Sequence, residues 1–114
     1  MYTSLEKPYV LSIAGLDPTA GAGILADVKT VTATGSYGFA VATCLTAQTE
    51  DTCESVQWFS IKEITTQLKP LLENYTIEYT KLGAMKDLSM ATDIIDYVLS
   101  IQSNMKFILD PILS

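Results

Sequence analysis

The chain has 114 residues and a net charge of −6 at pH 7, with 48% hydrophobic and 18% charged residues, which suits one folded domain and argues against a disordered chain. Seven Lys and Arg against 13 Asp and Glu do not make the clustered positive surface that nucleic acid needs. Histidine is absent, so His-based triads, imidazole bases and His metal ligands are out of consideration.

The start, from Met1 to Pro8, has no basic stretch followed by a long apolar core, so no signal peptide is expected. No apolar run approaches the ~20 residues that cross a membrane. Tyr9–Ala14 is a short apolar run and reads as the first strand. It gives way to Gly15-Leu16-Asp17-Pro18-Thr19-Ala20 and passes through Gly21 and Gly23 into a helix expected over 22–34. Ile24, Val28 and Val31 recur there at helical spacing, and Gly35 suits the position just past the helix end. A helix entered this way aims free N–H groups and its positive end at whatever lies above the strand, such as a polar small molecule or a phosphate. Gly21-x-Gly23 lacks the third glycine of a dinucleotide fingerprint.

Tyr37–Ala47 is apolar without clean alternation and reads as a second strand covered on both faces. Thr49–Ser60 reads as a connecting loop. Ser60-x-x-Glu63 is a capping-box pattern opening a second helix, with Ile61, Ile64, Leu68, Leu71 and Leu72 as its apolar stripe. Pro70 is expected to kink that helix or to start a second short turn. Tyr79–Leu82 reads as strand three, Met90–Gln102 as a third helix with Ile94, Ile95, Val98, Leu99 and Ile101 inward, and Lys106–Leu109 as strand four, ending at Asp110-Pro111. The alternation implies an α/β fold, four parallel strands in a mostly parallel sheet with helices on its faces in Rossmann-type layering.

Parallel strands share one carboxyl edge, and the polar and glycine-rich segments Gly15–Gly23, Thr46–Thr49, Gly83–Asp87 and Asp110-Pro111 all fall there. Open α/β sheets bind ligands in the crevice beyond that edge, so a small-molecule site is expected. Gln48 ends strand two with an amide that both donates and accepts, which suits an aminopyrimidine edge as well as it suits loop backbone. Asp27 is either a dipole partner of the first helix or an acceptor for a ligand amine or hydroxyl. Asp17 reads as a turn-forming residue, Lys81 as a solvated strand-end residue, and Asp110 as either a turn former or a residue of the cleft. Cys44 reads as core, and Cys44 and Cys53 have neither disulfide-framework nor zinc spacing, so a reduced, cytoplasmic protein without a metal site of its own is expected.

The string from Ser12 to Thr30 closely resembles the N-terminal segment of bacterial hydroxymethylpyrimidine/phosphomethylpyrimidine kinases, of the ribokinase-like superfamily. Leu16, Ala20 and Leu25 depart from the usual Ser/Thr, Gly and Gln. The likeness continues through Gly35-Ser36-Tyr37-Gly38, Cys44-Leu45-Thr46-Ala47-Gln48-Thr49, Lys81-Leu82-Gly83-Ala84-Met85 and Leu109-Asp110-Pro111. It covers essentially the whole chain but only the first half of such an enzyme, so residues 1–114 are expected to be the N-terminal part of a single kinase domain.

The resemblance implies ATP-dependent phosphorylation of a pyrimidine by a homodimeric parent enzyme using Mg2+. It implies that Gln48 holds the pyrimidine, that Asp27, Gly15, Ala22 and Thr46 lie against it, and that Asp110 lies toward the phosphate side. Ala84 stands where relatives carry a Met that packs over the ring, so either Met85 takes that role or the pocket is wider. The later D-T-x-G-x-G-D segment, which holds the anion hole and base in such kinases, has no counterpart in the chain, so no catalytic residue is expected here and the chain alone is expected to be inactive. Two other readings remain open: a pyridoxine/pyridoxal kinase, which shares the fold and a similar acceptor, and a non-catalytic pyrimidine-binding or assembly module.

Overall fold

The computed structural model describes residues 7–110. These form five strands, β1 (Tyr9–Leu16), β2 (Tyr37–Gln48), β3 (Cys53–Trp58), β4 (Ile77–Leu82) and β5 (Lys106–Leu109), and three helices, α1 (Gly23–Ala33), α2 (Ile61–Asn74) and α3 (Leu88–Ile101). The sheet order is β3-β2-β1-β4-β5. The four expected strands are parallel: β1 pairs with β2 and β4, and β4 pairs with β5.

The fifth strand is a correction. Thr49–Ser60 was expected as a loop, yet Cys53–Trp58 returns antiparallel along β2, with Cys44 opposite Trp58 and Gln48 opposite Cys53. A tight turn reverses the chain, closed by the Thr49 N–H on the Thr52 carbonyl at 2.8 Å. Almost every β3 side chain is exposed. An edge strand of this kind has no apolar face to bury, so the alternation that reveals a half-buried strand is missing.

Burial along β1 is continuous from Val10 to Gly15 because helices cover both faces. Leu11 and Ile13 point into the main core with Ile64, Leu68 and Leu72 of α2 and Met90, Ile94 and Val98 of α3. Ser12 points to the other face, where it bonds to Asp27 of α1. The chain therefore leaves β1 toward β2 over one face and returns to β4, on the far side of β1, over the other. Strand order reverses at β1, and that reversal opens a crevice beyond the carboxyl ends of β1 and β4. At the opposite end, Tyr9, Phe39 and Tyr75 close the sheet with ring centroids 4.6 to 5.4 Å apart.

The capping box forms as read. Ser60 Oγ accepts from the Glu63 N–H at 3.1 Å and Glu63 Oε1 accepts from the Ser60 N–H at 2.9 Å. The Ser60 N–H holds the Glu63 carboxyl below its ordinary range. Of the expected stripe, Ile64, Leu68 and Leu72 are buried while Ile61 is exposed in the first turn. Pro70 does not divide the helix: α2 runs unbroken through it to Asn74. Both Pro70 and Thr66, whose carbonyl loses its donor, lie on the exposed side, where solvent can satisfy that carbonyl.

Candidate functional site

A cavity of about 390 Å³ opens at the switch point. The β1–α1 loop contributes Gly15, Asp17, Gly21 and Ala22, α1 contributes Gly23, Ala26 and Asp27, and β2 contributes Cys44, Thr46 and Gln48. Lys81, Gly83 and Ala84 from the end of β4, together with Asp110, close the other side. The volume suits a single-ring ligand. Gly15, Gln48 and Asp110, from three different strand ends, thus face one space.

The loop is organised by Asp17. Its Oδ1 accepts from the Thr19 N–H and Thr19 Oγ1, each at 2.8 Å, and its Oδ2 accepts from the Ala22 N–H at 3.1 Å. The Thr19 hydroxyl and then its N–H hold the Asp17 carboxyl below the usual 3.8. Its acceptors are engaged within the loop, the turn-forming role read for it. The first turn of α1 carries neither a side-chain cap nor an acidic residue. Asp17 therefore supplies from outside the helix the negative group that its N-terminus attracts.

Two backbone positions set the loop's shape. Gly23 has φ +70, and a Cβ there would stand 2.2 Å from the Gly15 carbonyl oxygen. Ala20 has φ 60, a left-handed conformation that L-residues other than glycine resist. Ala20→Gly should raise stability by about 0.5–1 kcal/mol through release of that strain, partly offset by the greater freedom of glycine in the unfolded chain. A urea titration checks this, and an unchanged or lower midpoint would count against the strain.

Thr43 Oγ1 donates to the Ala84 carbonyl at 2.8 Å, and Thr46 Oγ1 donates to the Leu16 carbonyl at 3.2 Å. These bonds tie the strand ends around the cavity. Burial pushes the Cys44 thiol up, so it stands in the wall as a neutral group. Gln48 is half-buried, and its side-chain amide makes no hydrogen bond to another described residue. Asp27 Oδ1 accepts from Lys81 Nζ at 2.6 Å and Asp27 Oδ2 accepts from Ser12 Oγ at 2.7 Å.

Gln48, Asp27, Gly15, Ala22, Thr46, Ala84 and Asp110 all line the cavity. Met85 does not. It is fully buried in the main core, in the same cluster as Leu82, Met90 and Ile94. The chain leaving β4 turns Ala84 toward the cavity and the large apolar side chain away from it, so the cavity is lined there by Ala84 and not by Met85. Lys81 also departs from its reading, because it is ion-paired on the cavity wall rather than solvated. Strand alternation carried the missed signal: Lys81 shares a face with Tyr79 and lies in register with Ser12 on the central strand. Pro111 lies outside the described residues.

Among the described residues, no group of His, Cys, Asp and Glu is arranged to hold a metal ion, and no helix is long and apolar enough to cross a membrane. Both cysteines are free.

The model of the phosphomethylpyrimidine kinase family matches residues 17–114. The chain belongs to that family. Among phosphomethylpyrimidine kinase relatives, it is 40% identical over 94 residues to the hydroxymethylpyrimidine/phosphomethylpyrimidine kinase of Escherichia coli (strain K12), covering 82% of this chain and 34% of that protein. The crystal structure of a phosphomethylpyrimidine kinase from Clostridium difficile 630 superposes with a TM-score of 0.83 at 32% identity, over 91% of this chain and 45% of that one. The pyridoxal kinase of Staphylococcus aureus in complex with pyridoxal superposes with a TM-score of 0.80 at 26% identity, over 95% of this chain and 40% of that one. The fold is accordingly ribokinase-like, and the chain spans about a third of the length of its Escherichia coli relative.

Proposed function

We propose that this chain is the substrate-holding part of a kinase domain that phosphorylates 4-amino-5-hydroxymethyl-2-methylpyrimidine, and then its monophosphate, in thiamine biosynthesis. The observation that carries the reading is the free Gln48 amide, half-buried in a cavity it shares with the Asp27 carboxylate. An amide can donate to a ring nitrogen and accept from the adjacent exocyclic amine, while a carboxylate takes an amine or hydroxyl proton. The family supplies the class of substrate.

ATP and Mg2+ enter the reading through the family. The described residues do not amount to a site for either: they hold no carboxylate cluster, and the cavity's one cation, Lys81, is tied to Asp27. Asp110, at the rim beyond β5, is our candidate for the nucleotide side. No step of phosphoryl transfer is assigned to this chain, and we expect it to be inactive alone as the N-terminal part of one kinase domain. A homodimeric, cytoplasmic parent enzyme goes with the same reading.

A second reading, phosphorylation of pyridoxal or pyridoxine, is favoured by the small Ala84 side chain in the cavity lining and by the likeness to the Staphylococcus aureus pyridoxal kinase. Calorimetry with hydroxymethylpyrimidine, pyridoxine and ATP separates the cases. Binding of hydroxymethylpyrimidine without ATP binding is the expected result. Tighter binding of pyridoxine would favour the second reading, and no binding of either ring would overturn both.

A further inference from the structure

A strand-to-helix loop of this kind ordinarily turns its N–H groups outward, where they hold a phosphate. Here they turn inward. The Thr19 and Ala22 N–H groups donate to the two carboxylate oxygens of Asp17 at 2.8 and 3.1 Å. The Ala20 N–H donates to the Asp17 carbonyl at 3.0 Å, and the Gly21 N–H donates to Thr19 Oγ1 at 3.3 Å. Every N–H from Thr19 to Ala22 thus has an acceptor inside the loop. Asp17 is 7% exposed there. Its carboxylate stands beside the start of α1, where a bound anion would, and the Thr19 hydroxyl and then these N–H groups keep it ionised.

The rest of the lining offers an anion little. Asp27 of α1 and Asp110 beyond β5 add two carboxylates to that of Asp17. Against these three stands one ammonium, that of Lys81 on β4, 2.6 Å from Asp27. From β2, the Thr46 hydroxyl donates to the Leu16 carbonyl and the Cys44 thiol is neutral. The Gly83 and Asp110 N–H groups donate to the Ile13 and Leu82 carbonyls at 2.8 and 3.0 Å. The Gln48 amide remains as a donor to a ligand, and it suits a neutral ring edge.

We infer that Asp17 determines specificity: its carboxylate occupies the anion position at the start of α1, so this part of the domain takes the ring alcohol in preference to its phosphate ester. The inference rests on the proposed function and gives the two phosphorylations different needs. The first acceptor, uncharged at its hydroxymethyl group, can be held by this chain. The monophosphate carries a charge of about −1.5 to −2 at neutral pH, as phosphate monoesters do, and must find its cations outside this chain.

Calorimetry at about pH 7.5 tests this with 4-amino-5-hydroxymethyl-2-methylpyrimidine, its monophosphate and, as an uncharged ester, its acetate. The alcohol should bind at least about tenfold more tightly than the monophosphate, with the acetate closer to the alcohol than to the monophosphate. Asp17→Asn, which removes the charge and keeps the shape, should narrow the gap between alcohol and monophosphate by about fivefold or more. Asp17→Ala, which also frees two N–H groups, should narrow it further. If urea unfolding shows that Asp17→Ala has lost its fold, Asp17→Asn decides the matter. Monophosphate binding as tightly as the alcohol to the unsubstituted protein would overturn the inference. So would exclusion of the acetate as strong as that of the monophosphate, which would make the discrimination one of size. An unchanged gap in Asp17→Asn, or loss of all three ligands by that variant in its folded state, would also overturn it. Each of these results leaves the proposed function standing. Failure of the unsubstituted protein to bind the alcohol would overturn both.

Discussion

Gly23→Ala should destabilise the protein by about 2–4 kcal/mol, combining the left-handed backbone penalty with a steric overlap that no rotamer relieves. The obstacle is the Gly15 carbonyl oxygen, 2.2 Å from where the new Cβ would sit, and it belongs to the central strand. Gly35 is the internal control. It also has positive φ, at +88, but nothing lies within 4 Å of its added Cβ, so Gly35→Ala should cost only the backbone share, about 1–2 kcal/mol. Urea unfolding of the two variants side by side measures the difference. Equal losses would mean that the loop yields at Gly23 and that the close approach of α1 to β1 is not a constraint.

Gln48→Ala should weaken binding of hydroxymethylpyrimidine by roughly five- to 150-fold, since each ligand group left unpaired in a partly dry cavity is worth ~1–3 kcal/mol. Stability should move by no more than about 0.5 kcal/mol, because the amide has no hydrogen bond to another described residue to lose. That separation makes the experiment decisive. Weakened binding with an unchanged unfolding midpoint is a ligand contact. Intact binding would make Gln48 a surface residue at a strand end and would remove the strongest support for the proposed function. Asp27→Asn is a poorer probe, because it also breaks the ion pair to Lys81 and so mixes stability with recognition.

Much of the architecture was legible because the chain obeys simple local rules. Ser60 and Glu63 announce α2 through reciprocal bonds within one turn, and the buried run of β1 announces a central strand. The cavity was legible for a topological reason: parallel strands put their ends together, so small and polar residues after β1, β2, β4 and β5 had to meet. What stayed hidden depends on partners distant in sequence. Met85 and Ala84 are adjacent, and nothing local says which of them turns inward. Lys81 finds Asp27 across 54 positions, and a lysine near a strand end looks solvated until its counterion is known. Nor does Pro70 start a second short turn, because it lies on the side of α2 that faces solvent and the helix runs on through it.

Beyond Leu45, β2 loses its pairing with β1 and is joined in the sheet only to β3. Further back, β2 borrows a partner from a helix: Gln67 Oε1 accepts from the Ala42 N–H at 3.0 Å and Gln67 Nε2 donates to the Ala42 carbonyl at 2.9 Å, as an adjoining strand would. The sheet is thus anchored up to Leu45, with Thr46 tied by its hydroxyl to Leu16, while the tip carrying Gln48 projects past it as a two-stranded hairpin, a form that is marginally stable by itself. A ligand held by Gln48 is therefore held through that hairpin and the turn that closes it. Part of its binding energy is then set by the stiffness of the turn between Thr49 and Thr52, so affinity can be tuned at residues that never touch the ligand.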